Sequence, residues 1–187
     1  QALSAAVQTV PPERPVHSLH GYFLRQGDAS KPVVYDVDCI RDGGSFTTRR
    51  VVAIQSGKPI FSMSASFQVI EDGYDHASTM PEVPGPDDLV SEAELARRMA
   101  AAIPEKLRKI ATAPRPIEIR PLEPSNPLRP EKRPPHRGVW FRAIDRLPDD
   151  PGVHRYLLAY ASDFHFLFAA LQPHGVSYWE PDMQVAT

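Results

Sequence analysis

The chain has 187 residues, 42% of them hydrophobic and 24% charged, with a formal net charge of −2 at pH 7. That length accommodates one large domain or two small ones, and the near-neutral balance offers no electrostatic attraction for nucleic acid or a membrane surface. No apolar run approaches the roughly 20 residues of a membrane span, and the first residues lack the charged start and apolar core of a signal peptide. One cysteine, Cys39, excludes an intramolecular disulfide and fits a reducing cytosol, where it is expected as a small apolar strand residue. A soluble, cytoplasmic protein is expected.

Gln1 to Val10 (QALSAAVQTV) reads as the last turns of a helix that begins before the chain does, because no N-cap residue precedes its apolar positions. Pro11 and Pro12 stop it. Val16 to Gln68 then reads as strand-like runs joined by tight turns. Phe46, Val51, Ile54, Ile60, Phe61, Met63, Ala65 and Phe67 alternate for much of their length with polar residues, the pattern of a sheet with one face on a core. Ser56-Gly57-Lys58-Pro59 and Arg41-Asp42-Gly43-Gly44 read as turns whose glycines supply positive φ. Connections this short imply antiparallel hairpins.

After Glu71 the composition shifts. Pro81, Pro84 and Pro86 make an extended segment that cannot enter a sheet interior. Ser91-Glu92-Ala93-Glu94 is a capping-box pattern that predicts a helix through about Ile103, with Leu95, Met99 and Ile103 on one face and a further turn after Pro104. Ile117–Arg120 and Gly138–Ile144 read as strands. The proline-rich, basic run between them, with Arg129, Lys132, Arg133 and Arg137, is expected as an ordered surface loop.

Pro151 to Gln172 (PGVHRYLLAYASDFHFLFAALQ) is the longest helical candidate, and its near-absence of a polar face predicts a buried helix. Asp163 is the one carboxylate between Asp150 and Glu180, set among apolar residues. Burying a carboxylate without partners is costly and calls for a reason. Two readings are open at this point: a functional acid, or a cap in which Ser162 and Asp163 accept backbone N–H bonds of a helix segment starting at Phe164. His17 and His20, three apart on a strand, are expected on opposite faces. His154 and His165, eleven apart, are too far separated along a helix to share zinc. No nucleotide loop, GxSxG elbow or Cys/His metal spacing is present. A faint internal echo pairs helix, proline-rich link and strand at the start of the chain with the same order near its end.

The order HSLHGYFLRQGD, YDV, RDGGSFTTRRV and QSGKPIFSMSASFQ, running without a gap through Val16–Gln68, resembles the acyl-CoA thioesterase II family of bacteria. The resemblance implies an α+β fold of the double hotdog type, in which antiparallel sheets wrap long central helices. The second hotdog would be incomplete in this chain and both ends truncated relative to the family. It implies a first unit over 1–70, a linker with a surface helix over 71–116, and the first part of a second unit over 117–187. It also implies hydrolysis of fatty acyl-CoA to fatty acid and coenzyme A without a cofactor, a metal or a covalent intermediate.

In that scheme the ASD of YASDFHFL places Asp163 at the family's catalytic aspartate. Met183-Gln184-Val185-Ala186-Thr187 matches the pattern whose last threonine, here Thr187, helps hold the water. The family's third residue, a glutamine, would follow Thr187, and neither Gln172 nor Gln184 replaces it. Backbone N–H groups near a helix start would stabilise the oxyanion, and Arg49 or Arg50 would meet the coenzyme phosphates. Hotdog proteins pair sheet edges, so a homo-oligomer is expected. The competing expectations are a catalytically incomplete acyl-binding or assembly module, and a 2-enoyl-CoA hydratase or dehydratase, whose residue spacing Asp163-Phe164-His165 does not fit.

Overall fold

The computed structural model describes residues 1–180 and 183, with Ile110 described by its backbone only. They form two compact units. One comprises Gln1–His76 with Asp150–Tyr160; the other comprises Ala77–Asp149 with the described residues of 161–183.

In the first unit, β1 (Val16–Phe23), β2 (Val34–Asp42), β3 (Phe46–Gln55) and β4 (Lys58–Gln68) make one antiparallel sheet in the order β1-β4-β3-β2. The expected hairpins are those from β2 to β3 and from β3 to β4. β1 does not pair with β2; it crosses to the far side of β4, so Val34 follows a long connection rather than a tight turn. Strand alternation puts Thr47, Arg49, Val51, Ala53 and Gln55 of β3 on the covered face. Helix α1 (Ala2–Val7) lies on that face. Its Ala2, Leu3 and Ala6 close a core with Val51, Met63, Ala65 and Phe67, and the two alanines let the helix come close to the strands. Tyr156 and Ala159 of α4 (Pro151–Ala161) pack against the same core. Complete burial of side chains such as Phe67 contributes on the order of 1.5–3 kcal/mol each.

The turn between β3 and β4 is a two-residue type with positive φ at Ser56 (50°) and Gly57 (73°). Gly43 and Gly44 depart from expectation, because among the described residues only Gly57 and Gly175 are glycines at positive φ. Gly43 sits in a tight space instead: a Cβ there would stand 3.1 Å from the Phe46 carbonyl, which its own N–H meets at 2.8 Å. Arg14 fastens this turn, donating to the carbonyls of Gly43 and Gly44 and to the buried Thr47 hydroxyl.

His17 and His20 also correct the sequence reading. The register of β1 against β4 shifts between Val16 and Ser18, and this bulge turns His17 onto the outer face. There it bonds Ser66 Oγ at 2.9 Å, while His20 lies opposite Ser64. Both rings therefore share one face. No cluster of metal-ligating side chains exists among the described residues.

In the second unit, α2 (Glu92–Arg98) starts at Ser91, whose hydroxyl accepts the Glu94 N–H at 3.3 Å. Glu94 does not complete the capping box; its carboxylate pairs with Arg97 and Arg98 on the exposed side. The helix ends at Arg98, earlier than the pattern predicts, and α3 (Glu105–Ala111) follows Pro104. β5 (Ile117–Pro121) and β6 (Val139–Ala143) pair antiparallel, joined by the ordered proline-rich loop. No helix among the described residues is long and apolar enough to cross a membrane.

The long buried helix is the largest departure. Pro151–Gln172 is not continuous: α4 ends at Ala161 and α5 spans Phe166–Leu171. Nor is it sheathed all round, since Leu158 and Phe166 are 59% and 72% exposed. The break falls at Ser162–His165, where His165 takes the left-handed conformation at φ 71°.

Candidate active site

Asp163 sits in that break and not within a helix, and it is exposed rather than buried. Among the described residues its carboxylate has no hydrogen-bond or ion-pair partner. The capping alternative is not met either: the second helical segment begins at Phe166, with His165 at the cap position and no side-chain cap bond. Asp163 lines the mouth of a cavity of about 610 Å³ in the second unit. Leu95, Met99 and Ile103 of the α2 region, Ile117 and Ile119 of β5, and Phe164, Leu167 and Phe168 supply its apolar walls.

Beside Asp163 lies a charged cluster that reading the sequence missed. Arg137, at the end of the proline-rich loop, is only 7% exposed. Its Nη2 donates to Glu92 Oε1 at 3.2 Å, its Nη1 to Ser125 Oγ at 3.2 Å, and its Nε to His165 Nδ1 at 3.0 Å. The guanidinium also stacks on Phe168, 4.7 Å from the ring centre. Because Nδ1 accepts, the His165 proton resides on Nε2, which faces Glu92 Oε2 at 3.8 Å. Burial, reinforced by the Arg137 and Arg115 cations, pushes His165 down to about 4, so the ring is neutral. Burial raises Glu92, against the pull of Arg137. Burial likewise raises Tyr178.

A left-handed backbone costs a non-glycine residue on the order of 1–2 kcal/mol, and the side chain of the residue that carries it, His165, accepts the Arg137 N–H. The sequence held partial signals. The Ser91 cap fixed where Glu92 would be, and Arg137 stood in the basic run. Nothing in the spacing joined Glu92 and Arg137 to His165, which are distant in the chain.

The other expected site residues are placed unequally. Arg49 is 2% exposed, and its five N–H groups are all engaged: Nε with Thr9 Oγ1, Nη1 with the carbonyls of Arg41 and Thr48, Nη2 with the Thr9 carbonyl and Asp42 Oδ1. In this geometry it ties α1's trailing turn to the sheet and has no donor left for a phosphate. Arg50 points to the outer face and pairs with Asp38 at 2.8 Å. Thr187 lies outside the described residues.

Comparison with known proteins decides the family. The model of the acyl-CoA thioesterase N-terminal domain matches residues 1–68, and that of acyl-CoA thioesterase matches residues 107–187. The chain belongs to the acyl-CoA thioesterase family. It is 41% identical to acyl-CoA thioesterase 2 of Haemophilus influenzae over all of this chain and 65% of that protein. Among solved structures, it is similar to the acyl-CoA thioesterase II TesB2 of Mycobacterium marinum, with 43% identity and a TM-score of 0.70, covering 93% of this chain and 60% of that one. A hot dog fold protein of unknown function from Alicyclobacillus acidocaldarius is 19% identical with a TM-score of 0.60, covering 91% of this chain and 58% of that one, a likeness of fold alone. The α+β double hotdog architecture of the family is thereby established, and the chain spans about 60–65% of the length of these relatives.

Proposed function

We propose that this chain carries the acid of a fatty acyl-CoA hydrolase, with Asp163 as the residue that activates water. The observation that supports this most is the exposed Asp163 carboxylate at the mouth of an apolar cavity, in a chain of the acyl-CoA thioesterase family. A carboxylate there accepts a proton from water as the water oxygen bonds to the thioester carbonyl carbon. Collapse of the oxyanion breaks the C–S bond, and the proton passes to the departing thiolate, giving free acid and coenzyme A. Thr187 is assigned the water's second contact. A thiolate leaves readily, so the site needs no cofactor and no strong general acid.

Of the two arginines expected at the coenzyme phosphates, Arg50 has its guanidinium at the surface and is retained in that role. The same reading keeps 1–70 as the first hotdog unit, 71–116 as the connecting segment and 117–187 as the opening part of the second. It places the protein in the cytoplasm, where an exposed free Cys39 stays reduced. It makes the protein a homo-oligomer, because β1 and β2 are both sheet edges with unpaired backbone groups. Light scattering that gives a monomer mass would remove the last point.

The deciding experiment follows thiol release from decanoyl-CoA by the chain and by Asp163→Asn. Loss of a general base lowers turnover by roughly 10²–10⁴-fold. Equal turnover by the variant would refute the assignment. Acyl-CoA binding without release by either protein would favour the acyl-binding module instead.

A further inference from the structure

Arg137 joins three segments that are far apart in the chain: α2 through Glu92, the proline-rich loop through Ser125, and the turn after α4 through His165. Three of its N–H groups are used and its flat face is covered by Phe168, so the guanidinium has one orientation. Glu92 balances its charge and fixes that orientation, directing Nε at the imidazole. The imidazole is thereby held on both sides, with Nδ1 accepting from Arg137 and Nε2 toward Glu92. It belongs to the one residue in the break with a left-handed backbone, two positions after Asp163.

We propose that Glu92 and Arg137 are positioning residues, which act through His165 to hold the turn that sets the Asp163 carboxylate at the cavity mouth. The catalytic consequence rests on the reading of Asp163 given above; the structural consequence does not. Protonating Nδ1 would set an N–H against the Arg137 N–H and a cation against a cation, so the latch works only with a neutral ring. The charged and titratable groups around that ring are Arg137 from the loop, Glu92 from α2, Arg115 before β5, Tyr178 beyond α5, and Asp163 on its own turn. Both nearby cations oppose protonation, and Glu92 is already engaged by Arg137.

The test joins kinetics to a spectroscopic signature, using the 187-residue chain with ¹⁵N-labelled histidine. In the unsubstituted protein His165 is expected as the Nε2–H tautomer, unchanged between pH 7.5 and 5.5. In Arg137→Gln, which removes the bond to Nδ1 and one opposing cation, it is expected to titrate at a higher pH than in the unsubstituted protein; should that variant not fold, Glu92→Gln, which leaves both cations in place, is expected to populate the Nδ1–H tautomer without titrating at a higher pH. The same variants should lower kcat for decanoyl-CoA on the order of 10- to 100-fold and leave KM within about twofold, as expected for a misplaced group rather than lost binding. Wild-type kcat in folded Arg137→Gln, beside an inactive Asp163→Asn, would overturn the positioning role alone. Should Asp163→Asn retain full turnover, the catalytic assignment fails and the imidazole signal still decides whether the pair sets the turn. An Nδ1–H tautomer in the unsubstituted chain would overturn the proposal outright.

Discussion

Arg49 offers the sharpest contrast between a ligand-binding and a structural arginine. Consider Arg49→Met, which fills the space of the aliphatic stem and removes the guanidinium. Five hydrogen bonds are lost. Two acceptors are recovered cheaply: Asp42 is 59% exposed, so water replaces an ion pair of little net value, about 0–1 kcal/mol; the exposed Thr9 hydroxyl is likewise solvated. The Arg41, Thr48 and Thr9 carbonyls remain, each part-sheltered and each contributing about 1 kcal/mol when bonded. The sum is about 2–3 kcal/mol, after a small offset from the buried methionine. For a chain of this size each kcal/mol moves Tm by roughly 2–4 °C, so a fall of about 5–10 °C is expected. Far-UV circular dichroism is the assay to use, because both tryptophans, Trp140 and Trp179, belong to the second unit and would not report the first. Arg50→Ala, which breaks an exposed pair, should stay within about 0.5 kcal/mol. An Arg49→Met protein with an unchanged midpoint but a raised KM for acyl-CoA would refute the structural role and restore the phosphate contact.

Gly57→Val should destabilise the first unit by about 1–2 kcal/mol, because a β-branched residue resists the positive φ of the turn; a thermal midpoint equal to wild type would show that the turn has another form. The second unit should lose stability as pH falls from about 6.5 toward 4. His165 is held to about 4 in the folded protein, so the unfolded chain binds more protons in that window. Glu92 works the other way: its raised folded value costs stability above its ordinary range, and protonation recovers it as pH falls. His165→Asn, which tolerates the left-handed turn, should remove the acid sensitivity between pH 6.5 and 5.5, read as the urea midpoint of tryptophan fluorescence. A slope that survives this substitution would place the sensitivity elsewhere.

Local rules made much of this protein legible. The strands over Phe46–Phe67, the Ser56-Gly57 turn, the Ser91 cap and the proline stops each act within a few residues and form where the residues predict, although Phe46 and Ile54 alternate onto the outer face while Thr47 and Arg49 take the covered one. The motif order through Val16–Gln68 was enough to recognise the family. Features that depend on distant partners were not legible. Periodicity alone joined Pro151 to Gln172 into one helix, because no glycine or proline marks the break at His165; the residue that carries the left-handed turn bonds an arginine 28 positions earlier in the chain. A single bulge reversed the face of His17. Arg49, Arg50 and Arg137 are the same residue type, yet one ties helix to sheet, one pairs with Asp38 at the surface and one bonds the imidazole in the turn beside Asp163. Sequence by itself determined the strands, the turn between β3 and β4, and the family. Only the tertiary structure decided which charges are enclosed and what they face, since desolvation and hydrogen-bond geometry are set by neighbours that the chain brings together on folding.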